Sequence, residues 1–121
     1  MKKVLLLTLF GFAVHITKSQ VYIKDKNINA DSTIRYFEIK MSADHSTTTI
    51  YSVDYGQRQP LLFNEYIADG AGKKVKFHSP MDLLNYITNN GWKLLHRDIV
   101  TTANGPYAFI LFERLWFPII E

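Results

Sequence analysis

Cysteine is absent from this 121-residue chain, and its absence excludes several kinds of chemistry. Without a thiol the protein can form no disulfide, no thiolate zinc site, no redox pair and no cysteine nucleophile. A lipid anchor attached through cysteine is excluded as well. The fold must therefore depend on its apolar core, for which about a hundred residues are enough.

Long apolar runs are also lacking, and the longest one lies at the N-terminus. A basic head that includes Lys2 and Lys3 precedes the apolar run 4–14. A membrane-spanning helix needs about 20 apolar residues, so this layout is typical of a secretory signal peptide instead. Small residues at Thr17 and Ser19 predict cleavage before Gln20. We therefore expect a signal peptide at 1–19 and export to the periplasm or beyond. An uncleaved leader that tethers an accessory protein to the membrane is the alternative.

Excess charge is lacking once the leader is removed. The formal net charge is +3, and Lys2, Lys3 and Lys18 of the leader account for all of it. A neutral mature chain gives no electrostatic basis for binding nucleic acid. The densest remaining basic cluster, Lys73, Lys74 and Lys76, is interpreted as a solvated hairpin edge.

Catalytic motifs are lacking too. The chain has no HExxH motif, no G-x-S-x-G motif and no phosphate-binding glycine loop, so no catalytic residue, metal or cofactor is predicted. His96 and Asp98 stand two apart, which places them on one face of a strand. A small periplasmic hydrolase or other enzyme that uses this pair, or His78 near Asp82, is an alternative hypothesis.

Alternation of apolar and polar residues predicts most of the strands. The first two are Ile34–Met41, with Phe37, Ile39 and Met41 on one face, and Thr47–Tyr55, with Tyr51, Val53 and Tyr55 facing the core. Two more flank the turn at 69–72, namely Leu61–Ala68 and Lys73–Phe77. The last two, Trp92–Thr101 and Tyr107–Leu115, flank the hairpin signal Asn104-Gly105.

Helix signals are concentrated between residues 79 and 91. Ser79 suits an N-cap, Pro80 suits the first helical position, and Gly91 suits a left-handed stop. The polar segment 20–33 is expected to be a flexible lead-in, and 34–121 a single domain. The predicted fold class is α+β, an antiparallel sheet of five or six strands with one helix packed on one face.

Several segments together resemble a family of small exported proteins from Bacteroides-type bacteria whose function is unknown. They are VDYGQ at 53–57, DGAGKKVKF at 69–77, SPMDLLNYITNNGW at 79–92, and the strand end Glu113-Arg114. The resemblance implies the same α+β fold and export, and it implies no activity, substrate or catalytic residue. Lys93 departs from a remoter group of similar domains, which carry an acidic residue there.

Aromatic residues make up 14% of the chain and give the main functional hint. Tyrosines on strand faces can form a binding platform for a sugar or a peptide, because each combines apolar area with a polar tip. We expect a non-catalytic binding module with a protein or glycan partner, and the candidate ligand-binding residues are Tyr36, Tyr66 and Trp116. The apolar C-terminal segment 115–120 either folds back over the open face of the sheet or offers a surface to a partner or to a second copy in a homodimer.

The leader prediction is tested by intact mass spectrometry of protein from fractionated bacterial cells. We expect a soluble exported chain that lacks its first 19 residues and begins at Gln20. A full-length chain in the membrane fraction would contradict cleavage and favour the tethered protein.

Overall fold

Two antiparallel sheets and one helix make up the described fold. The computed structural model describes residues 20–44, 48–58 and 65–115. Its elements are β1 (Tyr22–Ile23), β2 (Lys26–Asn27), β3 (Tyr36–Ser42), β4 (Ile50–Asp54), β5 (Ile67–Ala68), α1 (Pro80–Thr88), β6 (Trp92–Thr102) and β7 (Gly105–Arg114). The large sheet has the order β4-β3-β7-β6, and the small sheet has the order β2-β1-β5. The α+β class is confirmed, whereas the single sheet of five or six strands is wrong.

The large sheet has one buried face, which we call the inner face. Strand β3 places Phe37, Ile39 and Met41 there, as the alternation predicts, and all three are buried. Their register partners on β7 are Phe112, Ile110 and Ala108, which are buried as well. Phe37 stacks on Phe112 with ring centroids 4.9 Å apart. Helix α1 and the small sheet bury their apolar side chains in the same core.

A β-bulge in β4 overturns the predicted orientation of Tyr51. Lys40 pairs with Ser52, but the next residue of β3, Met41, pairs with Ile50, so Tyr51 is the extra residue. The bulge turns Ile50 against the core and leaves Tyr51 42% exposed, although simple alternation places it beside buried Val53.

Helix α1 begins and ends where its sequence signals predict. The Ser79 hydroxyl accepts a hydrogen bond from the Asp82 backbone N–H (3.2 Å), and the Asp82 carboxylate accepts one from the His78 backbone N–H (3.0 Å). Beyond the helix, Gly91 takes φ +92°, a left-handed conformation that glycine adopts at little cost. Leu83, Leu84 and Ile87 form the buried stripe.

Two of the three strands of the small sheet, β1 and β2, form from residues whose composition predicts a flexible lead-in. Strands β1 and β2 make a hairpin, and β1 also pairs with β5. Val21, Ile23 and Ile28 of this segment are buried in the core. The predicted strand Lys73–Phe77 contributes only an isolated bridge between Ala68 and Lys74. Residues 59–64, which include the first four residues of the predicted strand Leu61–Ala68, lie outside the described residues.

The hairpin of β6 and β7 forms where the Asn104-Gly105 signal predicts one, but its turn lies one residue earlier. Thr102 pairs with Gly105, so the connecting residues are Ala103 and Asn104. Gly105 takes φ +114°, where a larger residue would be strained. The Thr102 hydroxyl donates to the Gly105 carbonyl (2.9 Å) and accepts from the Asn104 backbone N–H (3.2 Å).

One guanidinium group, that of Arg114 at the end of β7, holds the 28–34 segment against the large sheet. Its Nε donates to the Ile34 carbonyl (2.9 Å) and its Nη1 to the Asn29 carbonyl (3.0 Å). Its Nη2 donates to the carbonyls of Ile28 (2.9 Å) and Asp31 (2.8 Å). We call this arrangement the Arg114 clamp. Burial lowers the pKa of the guanidinium, and nearby Asp31 opposes that shift.

Trp92 and Asn29 extend the Arg114 clamp. The guanidinium lies over the Trp92 ring, 4.9 Å from its centroid. The Asn29 side-chain oxygen accepts from the Trp92 indole N–H (2.9 Å) and from the Val21 backbone N–H (3.0 Å). Its amide group donates to the Asn90 carbonyl (2.8 Å). The start of the described chain, the helix end and β7 are thus joined in one polar network.

We expect Arg114→Ala to lower the free energy of unfolding by about 2–4 kcal/mol, because four backbone carbonyls lose a charged donor. Arg114→Lys should recover less than half of this loss, since an ammonium group cannot reach four carbonyls in the same geometry. Urea unfolding followed by circular dichroism measures both. Arg58→Ala, at an exposed position, is the control and should change the free energy of unfolding by at most about 0.5 kcal/mol. An Arg114→Ala protein as stable as this control would contradict the role of the clamp.

The Asp31 carboxylate gives the same segment a pH dependence. It accepts hydrogen bonds from the Thr33 hydroxyl (2.6 Å) and the Thr33 backbone N–H (3.0 Å), and it pairs with the Lys26 ammonium (3.0 Å). These contacts, those to Thr33 first, lower the pKa of Asp31 from 3.8 to about 2. The ionised group is favoured in the folded state, so its contribution is complete above pH 4 and is lost as the pH falls towards 2.

We expect Asp31→Asn to weaken the dependence of stability on pH in this window. Urea midpoints measured at intervals from pH 5 to pH 2 should fall less steeply in the variant, because its amide does not titrate. Asp25→Asn, an exposed change on the adjacent hairpin, is the control. If the urea midpoints of Asp31→Asn and of the unaltered protein fall equally steeply with pH, Asp31 is not the source of this pH dependence.

Candidate functional site

The face of the large sheet opposite the core, which we call the outer face, carries aromatic and charged residues in register. Cross-strand partners lie on the same face, so the pairing defines rows across the sheet. One row, the Leu111 row, contains Asp54, Glu38, Leu111 and His96. The next, the Phe109 row, contains Ser52, Lys40, Phe109 and Asp98. The described helix and small sheet pack on the inner face and leave these rows open.

Aromatic rings and one lysine cover one end of the outer face. The Lys40 ammonium lies over the Tyr107 ring, 4.6 Å from its centroid, and 5.8 Å from the Phe109 centroid. Bulged Tyr51 packs edge-on against Tyr107, with ring centroids 5.2 Å apart. These rings are only half-covered, so the face presents apolar area to solvent next to charge.

His96 and Asp98 lie side by side on the outer face, as their spacing predicts. Both side chains are exposed, and His96 stands opposite Leu111 while Asp98 stands opposite Phe109. In the described part of the chain no hydrogen bond or ion pair joins them. The pair therefore lies on an open sheet surface, where nothing on the described chain excludes water from it.

A groove lies between the two sheets of the described fold. One wall is the free margin of β4, which stands at the end of the large sheet. The other wall is the 74–77 segment, held to the small sheet by a hydrogen bond from the Val75 backbone N–H to the Ile67 carbonyl (2.9 Å). The groove has a volume of about 320 Å³. That volume is at the lower end of the range for small-ligand sites.

The groove has an apolar floor and a polar rim. Residues of the floor are buried or packed on the core: Ile50, Ile67, Val75 and Phe77. The rim carries Thr48, Thr49, Glu65, Tyr66, Lys74 and Lys76. The predicted alternation of Lys74 and Lys76 with Val75 and Phe77 is confirmed, and it brings both ammonium groups to the rim. With two positive groups against one carboxylate, the groove favours an anionic ligand.

Two tyrosines near the groove have raised pKa values. Phe77 of the floor packs edge-on against Tyr86 of α1, with ring centroids 5.4 Å apart. Burial raises the pKa of Tyr86, and Asp69 adds to the shift. Burial likewise raises the pKa of Tyr55, with Glu65 contributing. Both phenols are therefore neutral over the physiological range.

The predicted site residues do not form one platform. Tyr66 lines the groove, while Tyr36 stands on the outer face, 43% exposed, with the Arg35 guanidinium 5.4 Å from its ring centroid. Tyr55 packs against the core instead of joining an exposed platform. Trp116, most of the C-terminal apolar segment and the leader 1–19 lie outside the described residues.

Sequence reasoning missed the residues that give the groove its charge. Sequence patterns assign Lys74 and Lys76 to a solvated hairpin edge, and they give no signal for Thr48, Thr49 and Glu65. The alternation in 73–77 was the available signal, because it places two lysines on one side and two core residues on the other. What could not be deduced is that this segment lies across from the start of β4.

No group of three or more His, Asp or Glu side chains suited to a metal ion occurs within 20–44, 48–58 and 65–115. Over the same ranges no helix is long and apolar enough to cross a membrane. His78 is exposed, and its backbone N–H, not its ring, donates to Asp82. His45 lies outside these ranges. Comparison of the chain with protein families, with curated proteins and with solved structures finds no match.

Proposed function

We propose that the protein is an exported, non-catalytic binding module that takes its ligand in the groove. The observation that carries the proposal is a concave site of about 320 Å³ in which an apolar floor meets a rim of hydroxyl, phenol and ammonium groups. Concave apolar sites with a few convergent polar groups are where small ligands bind. The signal-peptide pattern of residues 1–19 supports export.

The rim suggests the chemistry of the ligand. Lys74 and Lys76 are exposed ammonium groups on one wall, and they suit a carboxylate. Tyr66 is a half-buried aromatic side chain in the same lining, and it suits a sugar face or an apolar side chain. We therefore infer a ligand that carries a carboxylate beside a ring or apolar face. Acidic peptides and acidic sugars share this chemistry.

Titration followed by NMR chemical shifts of the ¹⁵N-labelled protein tests the proposal. The probes are an acetylated Glu-Tyr-Glu peptide amide and trigalacturonate, and their neutral counterparts are a Gln-Tyr-Gln peptide and maltotriose. For the matching acidic probe we expect a dissociation constant of about 0.1–1 mM, as is usual for short ligands on a small site. Shifts should be largest around residues 48–50 and 65–77.

Variants of the rim provide the matched controls. Tyr66→Ala and the double variant Lys74→Gln/Lys76→Gln should each weaken binding about tenfold, since they remove the stacking surface and the cations respectively. Lys73→Gln makes a similar charge change on a neighbouring residue outside the groove lining and should leave binding unchanged. If neither acidic probe shifts the groove signals, or if Lys73→Gln weakens binding as much as the double variant, the proposal is wrong.

A further inference from the structure

We propose that the outer face of the large sheet docks a second copy of this chain, with the two faces stacked about a two-fold axis. The reason is the order of its polar and charged side chains along each strand. On β3, Glu38 is followed on the same face by Lys40, and on β6, His96 is followed by Asp98. Across the described chain, Glu38, His96 and Asp98 make no side-chain hydrogen bond or ion pair. Their polar groups are thus available to a partner.

A two-fold axis in the plane of the interface, perpendicular to the strands and midway between the two rows, makes this pattern self-complementary. The rotation keeps each strand over its own copy and reverses its direction, so the Leu111 row of one protomer faces the Phe109 row of its partner. Glu38 then faces the partner's Lys40, and His96 faces the partner's Asp98. Each contact occurs twice, as a two-fold interface requires.

The centre of the same arrangement is apolar. Leu111 faces the partner's Phe109 on the two β7 strands, and both side chains are half-buried in the single chain. At the margin of the sheet, Asp54 faces the partner's Ser52. Stacked sheets are rotated by about 30° because each sheet is twisted, so the contacts nearest the centre of the interface survive best. Those are the contacts of the central strands β3 and β7.

The size of the face sets the strength of the expected association. Four strands about 4.8 Å apart and about seven residues long give an area of roughly 440 Å² on each protomer. Stable complexes bury about 800 Å² on each partner, so this dimer should be weak, with a dissociation constant of tens to hundreds of micromolar. None of the residues that line the groove belongs to these rows, so the inference is independent of the proposed function.

A charge-reversal mixing experiment tests the inference. The variants Glu38→Lys and Lys40→Glu each place like charges opposite one another across the two-fold axis, one pair positive and the other negative. By sedimentation velocity from about 10 μM to 1 mM, each variant alone should associate about tenfold more weakly than the unaltered protein. An equimolar mixture of the two should associate at least as well as the unaltered protein, because opposite charges then face each other. Circular dichroism verifies that each variant is folded.

The double variant Glu38→Lys/Lys40→Glu provides a second test. It exchanges the signs of the two charges on β3, so opposite charges still face each other and the variant should associate like the unaltered protein. Ile99→Lys is the control on the other side of the sheet: Ile99 is paired with buried Ala108, is 54% exposed, and lies on the inner face. It should leave association unchanged. An unaltered protein that stays monomeric at about 1 mM, a mixture that fails to restore association, or loss of association in Ile99→Lys would each overturn the inference.

Discussion

The Arg114 clamp is the interaction on which the rest of the structure depends. The first described segment has little secondary structure of its own: two strands of two residues each and a turn-rich stretch up to Ile34. Such a segment leaves backbone carbonyls without partners in the chain nearby, and buried carbonyls need donors. The guanidinium of Arg114, at the end of β7, donates to four of these carbonyls and makes a cation–π contact with the Trp92 ring. The small sheet is thereby fixed over the core.

Fixing the small sheet also creates the groove. Strand β1 holds β5 by pairing, and β5 in turn holds the 74–77 segment through Val75. Among the described residues no strand pairing joins the two walls of the groove, so the 74–77 segment is held from the side of the small sheet.

The outer face has a different origin, because it follows from the large sheet alone. Alternation sends every second side chain of β3, β6 and β7 away from the core, and nothing in the described helix or small sheet covers them. On this face of β3, acidic Glu38 and basic Lys40 follow one another, and the apolar side chains of Leu111 and Phe109 on β7 lie beside them. The groove and the outer face are thus two separate surfaces: the first depends on the packing of the small sheet, and the second on the large sheet alone.

The sequence by itself determined the features that depend on neighbours a few residues apart. Ser79 and Gly91 delimit the helix, Asn104-Gly105 closes the hairpin, and the period of two in β3 identifies its core face. Tertiary structure decided the rest. In the tertiary structure β1 pairs with β5, and a bulge in β4 exposes Tyr51. The Arg114 side chain also reaches carbonyls as many as 86 residues away in sequence. Local signals report which conformation a short segment prefers, whereas strand partners and clamps depend on contacts between segments that no local pattern encodes.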